Sequence, residues 1–461
     1  MPKTRTPRWT RCRLAWLAAW LSSSLAAAQA QPLPSPSVAT AATVPARTAG
    51  DDAAAADAPR LNLSGFGTLG GARSNRDWAY QRFIDRNGGL ERDSVLGAQA
   101  DLRLSDTWSA TMQAKLAPSD SNDSTWRVTP AWAFVAWRPT NDWLLRAGKL
   151  RVPVFLRSEQ LDVGATYDEA RLANDIYGIV PTTDYKGLHL TYSADVAEGE
   201  LNLDAYTGQA HQSKRVWIRE GLPGMIDAGP LFRQVDTKAT GVVATWTGSQ
   251  SKFRAGLLRV LISPRDGSDL PVRPTWVAMG PGLGFWTEMP GTGAPTTQRF
   301  ENTMLTLGTE FTPLAGWKVT GEYGRIRQLN TERSIDSTGG YLTVAREFGA
   351  LTPYVTLSRL FSSSGSREWA RRLDETNVPA GVPGADAMNA SMRVSADIVP
   401  VYDQHSWALG GAYALSATHK LKAEWLRTKS KVSAMYDLPA GERLFQSRSV
   451  DVLSLSYSFV F

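Results

Sequence analysis

The twelve residues VDVLSLSYSFVF, 450–461, alternate without interruption. Leu453, Leu455, Tyr457, Phe459 and Phe461 point one way, and Ser454, Ser456 and Ser458 point the other. Period two is the signature of a strand with one apolar and one polar face. The pattern recurs upstream. Leu96, Ala98, Ala100, Leu102 and Leu104 alternate with Gly97, Gln99, Asp101 and Arg103. Trp108, Ala110, Met112, Ala114 and Leu116 alternate with Ser109, Thr111, Gln113 and Lys115, and Leu421, Ala423 and Trp425 with Lys420, Lys422 and Glu424.

Sixteen such segments follow one another, near 61–70, 94–104, 107–116, 126–138, 142–151, 185–194, 198–208, 237–246, 251–261, 302–312, 316–327, 339–348, 351–362, 402–415, 419–429 and 450–461. The connections between them come in two sizes. Every second one is a tight turn, such as SDT before Trp108, PTN before Trp143, LAG before Trp317 and ATH before Lys420. The others are mostly long: 71–93, 152–184, 209–236, 262–301, 363–401 and 430–449, with shorter ones at 117–125 and 328–338. A soluble sandwich has no reason to sort its loops this way. A transmembrane antiparallel β-barrel does, with short periplasmic turns and long external loops. The count is about sixteen strands, and eighteen stays open because 262–301 or 363–401 could hide more.

A ten-residue strand rising ~3.3 Å per residue and tilted ~40° spans about 25 Å, the height of the apolar band of such barrels. A lysine or arginine facing lipid at the midplane costs roughly 2–4 kcal/mol. Asp101, Arg103, Lys115, Lys318, Glu322, Lys420, Lys422 and Glu424 are therefore expected to line the lumen, with their apolar neighbours facing hydrocarbon. Trp108, Trp137, Trp143, Trp246, Phe253, Phe311, Trp317 and Phe348 cluster at the short turns and read as an interfacial girdle. The sheet should close, because lipid offers an open edge no partner.

The chain has 461 residues, 50 Lys and Arg against 44 Asp and Glu, and a formal charge of +6. An apolar content of 43% argues against disorder, and one cysteine excludes a disulfide scaffold. At the N-terminus Lys3, Arg5, Arg8, Arg11 and Arg13 precede the apolar run LAWLAAWLSSSLAAA, which ends in Ala28-Gln29-Ala30. Residues 1–30 read as a cleaved signal peptide, with an N-terminal anchor as the alternative. Residues 31–60, rich in Ala, Pro, Ser and Thr and without an aromatic, read as a disordered leader before a barrel over 61–461. Losing five bases leaves 45 basic against 44 acidic residues, net +1, so the charge is no sign of nucleic-acid binding.

The ending VDVLSLSYSFVF, with Leu453, Leu455, Tyr457, Phe459 and Phe461 at every second position, resembles the C-terminal signal read by the barrel assembly machinery of Gram-negative bacteria. With the signal peptide and sixteen strands, the chain resembles a Gram-negative outer-membrane porin, and LNLSGFGTLGGA (61–72) has the style of a porin's glycine-rich first strand. The resemblance implies outer-membrane localisation, lipid and the assembly machinery as partners, a homotrimer, and a third external loop folded into the barrel as its constriction. Here that loop is Val152–Asp184, with Arg157, Glu159, Asp162, Asp168, Glu169, Arg171 and Asp175 as constriction candidates. Carboxylates facing guanidinium groups across a narrow passage would set a transverse field. The alternative is that these charges solvate an ordinary external loop. The family's PEFGG-like loop motif is absent.

The expected function is passive diffusion of small hydrophilic solutes or ions, with no catalytic residue, metal or cofactor. Five bases against three acids among the lumenal candidates predict a mild anion preference, which the acidic third loop opposes. Two other readings stand beside it: a barrel esterase or phospholipase, for which His405 and His419 would be tested, and an adhesin or receptor acting through its external loops. Gly65-Phe66-Gly67-Thr68-Leu69-Gly70 matches a dinucleotide-binding pattern but sits inside a strand, so it reads as strand glycine. Residues 281–295, PGLGFWTEMPGTGAP, read as a flexible exposed loop.

Overall fold

The computed structural model describes residues 59–461 apart from 289–290 and 333–334. The signal peptide expected over 1–30 lies outside these residues, as does the leader except for its last two. Of those, Arg60 already opens the first strand.

Sixteen antiparallel strands close into one barrel: β1 (Arg60–Ser74), β2 (Val95–Arg103), β3 (Trp108–Pro118), β4 (Trp126–Trp137), β5 (Trp143–Arg151), β6 (Asp184–Val196), β7 (Gly199–Ile218), β8 (Gly229–Gly248), β9 (Ser251–Pro264), β10 (Phe300–Phe311), β11 (Trp317–Gln328), β12 (Ser337–Arg346), β13 (Leu351–Ser362), β14 (Tyr402–Ser416), β15 (His419–Ser433) and β16 (Arg448–Val460). Closure is made by β1, which pairs with β2 from Arg60↔Arg103 to Thr68↔Val95 and with β16 from Phe66↔Val460 to Ser74↔Val452. On the outer face of that seam the rings of Phe461 and Phe459 lie over Gly65 and Gly67. A Cβ at those glycines would come within 2.3 and 2.5 Å of the two rings. The glycine pattern is thus a groove for the C-terminal aromatics.

Turns of two to five residues, 104–107, 138–142, 197–198, 249–250, 312–316, 347–350 and 417–418, lie at one end. The other end carries 75–94, 119–125, 152–183, 219–228, 265–299, 329–336, 363–401 and 434–447. The expectation of a long loop over 209–236 is corrected: β7 and β8 stay paired to Ile218↔Gly229, and only 219–228 is loop. Eighteen strands are likewise excluded among the described residues. The 265–299 stretch forms one short hairpin and, flanking it in sequence, a second two-stranded pair, both apart from the wall, and 363–401 forms helices α2 (Ser364–Glu375) and α3 (Ala385–Ile398); α1 (Asn174–Tyr177) lies in the third loop. Nor is 281–295 simply a loose loop. Leu283–Thr287 is a hairpin strand whose Trp286 packs edge-on against Trp369 of α2, 5.3 Å between ring centres.

Alternation sorts the wall. Leu61, Leu69, Met112, Leu188, Val242, Leu257, Leu357, Leu453 and Leu455 point outward and are each more than half exposed. So continuous an apolar surface far exceeds what a water-soluble protein carries, and hydrocarbon is its stable environment. The inward face holds buried hydroxyls bonded across strands, as in Thr343–Thr356 at 2.8 Å and Ser406–Thr428 at 2.9 Å. Beside the short turns, Trp108 stacks on Trp137 and Trp246 on Phe253, both at 5.9 Å, and Arg346 lies over the rings of Trp317 and Phe348. These rings form a belt at one end of the apolar band, where aromatic side chains favour the headgroup zone.

Candidate functional site

The third external loop, 152–183, turns into the barrel. Its entry and exit are anchored by apolar contacts: Val152, Val154, Phe155 and Ile176 are buried with Trp132, Phe134, Tyr185, Leu258, Met304 and Ile326 on the inner wall from β4 to β11. Burying side chains of this size, at about 1.5–3 kcal/mol each, outweighs the cost of ordering a short stretch of loop. At Gly339 of β12 the loop backbone comes so near that a Cβ would stand 2.5 Å from the Asp175 carbonyl oxygen. Where the wall is apolar the loop packs on it, and elsewhere it is held by charge.

Each constriction candidate has a definite place. Arg157 pairs with Glu310 of β10, and Glu159 lies 3.8 Å from Arg146 and 3.9 Å from Arg254. Asp162 accepts from Lys115 at 2.8 Å and from Arg151. Burial alone would raise its pKa, yet Arg151 and Lys115 hold the carboxyl down at about 2. Asp168 accepts from Lys420 at 2.8 Å and is kept below its ordinary value mainly by that lysine, against the effect of burial. The Glu169 backbone carbonyl accepts from Lys422 at 3.0 Å. Arg171 pairs with Asp93 of the first external loop and donates to Ser454 at 3.2 Å. Asp175 accepts from the side chains of Ser358 and Gln404. The loop's charges are therefore largely engaged by the wall rather than facing one another across an opening.

The lumenal candidates lie as follows. Lys115 and Lys420 bind loop carboxylates. Lys422 donates to the Gly164 carbonyl at 2.6 Å and sits 4.1 Å over the Tyr167 ring. Glu322 accepts from the Leu156 amide, and Glu424 from the Tyr354 hydroxyl at 2.8 Å. Lys318 lies 3.6 Å from Glu310. Asp101 accepts from Thr111 and Gln99, both at 2.7 Å. Arg103 stands apart from the loop, at the short-turn rim, where it pairs with Asp106 at 2.6 Å. Of the residues expected to form an assembly signal, Leu453 and Leu455 face outward, and Phe461 is three-quarters exposed.

Sequence reading missed Arg146, Arg151, Arg254 and Glu310, which meet the loop, and the inward His189–Asp204 pair. The signal was present for several of them: Arg146 stands between Leu145 and Ala147, His189 between Leu188 and Leu190, and Arg254 between Phe253 and Ala255. Asp93 lies in a loop without periodicity, and only the tertiary fold brings it to Arg171.

A closed sixteen-stranded barrel with an apolar exterior, a polar inner wall and an inserted third loop has the architecture of an outer-membrane porin. No protein-family model matches the sequence, and no curated protein matches it. Among solved structures, a loop-L8 deletion mutant of OmpT, an outer membrane protein of Vibrio cholerae, superposes with a TM-score of 0.50 at 11% identity, over 88% of this chain and all of that one. An anion-selective porin from Comamonas acidovorans gives 0.49 at 12% identity, over 88% of this chain and all of that one. The outer membrane channel DcaP of Acinetobacter baumannii gives 0.48 at 12%, over 87% and 97%.

Proposed function

We propose that this chain is an outer-membrane channel through which small hydrophilic solutes or ions diffuse passively, with a mild preference for anions. The observation that carries the reading is the polar, charged inner wall of a sixteen-stranded barrel, a circumference too large for wall side chains alone to fill. Export by a cleaved signal peptide, insertion by the barrel assembly machinery and a homotrimeric state belong to the same proposal. So does the absence of covalent chemistry. Inward Arg146, Arg151, Lys252 and Arg254 add to the lumenal lysines, while Glu159 and Asp162 of the loop and Asp204 and Glu310 of the wall offset them, in keeping with a preference that is only mild.

The histidines offer the enzyme reading little. His189 engages Tyr185 at 2.9 Å through one ring nitrogen and Asp204 at 3.0 Å through the other, so neither is open to act as a base. His405 is exposed on the outward face, and His419 contacts Tyr457 at 2.5 Å near the short-turn end. Reconstitution into planar bilayers in potassium chloride tests the proposal: discrete conductance steps are expected, with a reversal potential displaced toward anions in a salt gradient. Silent bilayers overturn the channel reading, and strong cation selectivity overturns the preference.

A further inference from the structure

Above the third loop, on the long-loop side, lies a cavity of about 400 Å³ with mostly apolar walls. Its lining includes Val180 on the loop, Val235 and Ile262 on the barrel wall, and Val399 and Val401 where the chain leaves α3. That size falls within the range of small-molecule sites, about 300–1,000 Å³. An apolar chamber is an unexpected antechamber for a channel that passes only hydrated ions.

Its charges are equally particular. Arg215 and Arg219 border it but are fully engaged: Arg215 by Asp123 at 2.9 Å and Asp437 at 2.6 Å, Arg219 by Asp374 at 2.8 Å and Asp397 at 2.5 Å. Lys214 and Arg233 also border it, and they are cross-strand partners on β7 and β8. Lys214 donates to the Pro181 carbonyl at 2.5 Å and Arg233 to the Ser268 hydroxyl at 3.3 Å. Among the described residues neither forms an ion pair with a carboxylate, although exposed Asp266 is near enough to Arg233 to feel its charge. Lys214 is half-buried beside apolar surface that keeps water away, and an uncompensated cation there is costly. An anion reaching it would restore the lost compensation.

We propose that this chamber binds a small organic anion with an apolar body, its carboxylate held by Lys214 and Arg233 and its hydrocarbon part against Val180, Val235 and Ile262. The site deepens the channel reading and rests on it for the solute's onward route, but not for binding.

The test is titration calorimetry of the detergent-solubilised full-length protein with 3-phenylpropionate, 3-phenylpropionamide and acetate, and chloride conductance on the same preparations. Phenylpropionate should bind, the isosteric amide about tenfold more weakly for want of charge-assisted hydrogen bonds, and acetate not measurably. Lys214→Gln with Arg233→Gln should remove that tenfold advantage, and Ile262→Trp should abolish binding by filling the chamber, each variant first shown to be folded by its heat-modifiable migration. Equal binding of acid and amide, or undiminished binding by both variants, overturns the site. Conductance without binding overturns the site alone, whereas binding without conductance supports the site and overturns the channel reading.

Discussion

Met112 and Gln99 lie on neighbouring strands and face opposite media. Met112 is 59% exposed on the outer wall, while Gln99 is half-buried on the inner one, bonded to Asp101 and Gln113, both at 2.7 Å. Met112→Arg places a cation against hydrocarbon and should cost about 2–4 kcal/mol. Gln99→Arg keeps Asp101 as its partner, now as an ion pair, and should fold normally. Urea unfolding in lipid vesicles measures both, and equal losses would contradict the assignment of faces. At the seam, Gly67→Val puts a branched side chain where the Phe459 ring lies. Closure of the barrel, followed by gel migration during refolding, should be slowed or lost.

The third loop and the α2–α3 cap are elements held by charge, and each responds to losing it. Asp162→Asn leaves Lys115 and Arg151 without their shared carboxylate. Breaking one side of a buried ion pair typically costs about 3–5 kcal/mol, here felt as local release of the loop. The expected outcome is noisier current and a reversal potential shifted further toward anions; an unchanged trace would deny the loop a place in the path. At the cap, Asp397 of α3 shares Arg219 with Asp374, while Arg393 bonds the Leu373 and Thr376 carbonyls nearby. Burial pushes the Asp397 carboxyl up to about 6 despite Arg219. A carboxyl whose folded value exceeds its free value of about 3.9 contributes stability in full below that free value and loses it as pH rises through the folded one. Hydrogen exchange over 385–398, corrected for intrinsic rates, should therefore show greater protection at pH 5 than at pH 8.

For the whole molecule, closure into one sixteen-stranded sheet predicts a heat-modifiable band in detergent gels, because a barrel without a free edge opens only when most of its ladder breaks. An electrophoretic mobility unaffected by boiling would count against it. A meander of about sixteen strands and the sorting of its loops were legible in the sequence, because a lipid-facing strand must alternate and a turn between adjacent strands must be short; that the count is sixteen and not eighteen took the structure. The 209–236 stretch misled for a physical reason. Beyond the membrane both faces of the β7–β8 ladder meet water or other loops, so HQSKRVW alternates poorly although its backbone stays fully paired.

The C-terminal stretch, 450–461, shows where the division falls. Its alternation determined by itself which side chains face lipid and which face inward, because period two is a property of the extended backbone and the cost of exposing charge to hydrocarbon does the rest. That Phe459 and Phe461 close the barrel by lying over Gly67 and Gly65, nearly 400 residues away, was decided only by the tertiary structure. The same holds for the third loop. Its charges were visible in sequence, but their partners on β3, β5, β10 and β15 are distant along the chain, and no local pattern encodes which carboxylate meets which cation. Sequence sorted residues between lipid and lumen; only folding could convert the loop's charges from a field across an opening into the ties that hold it in place.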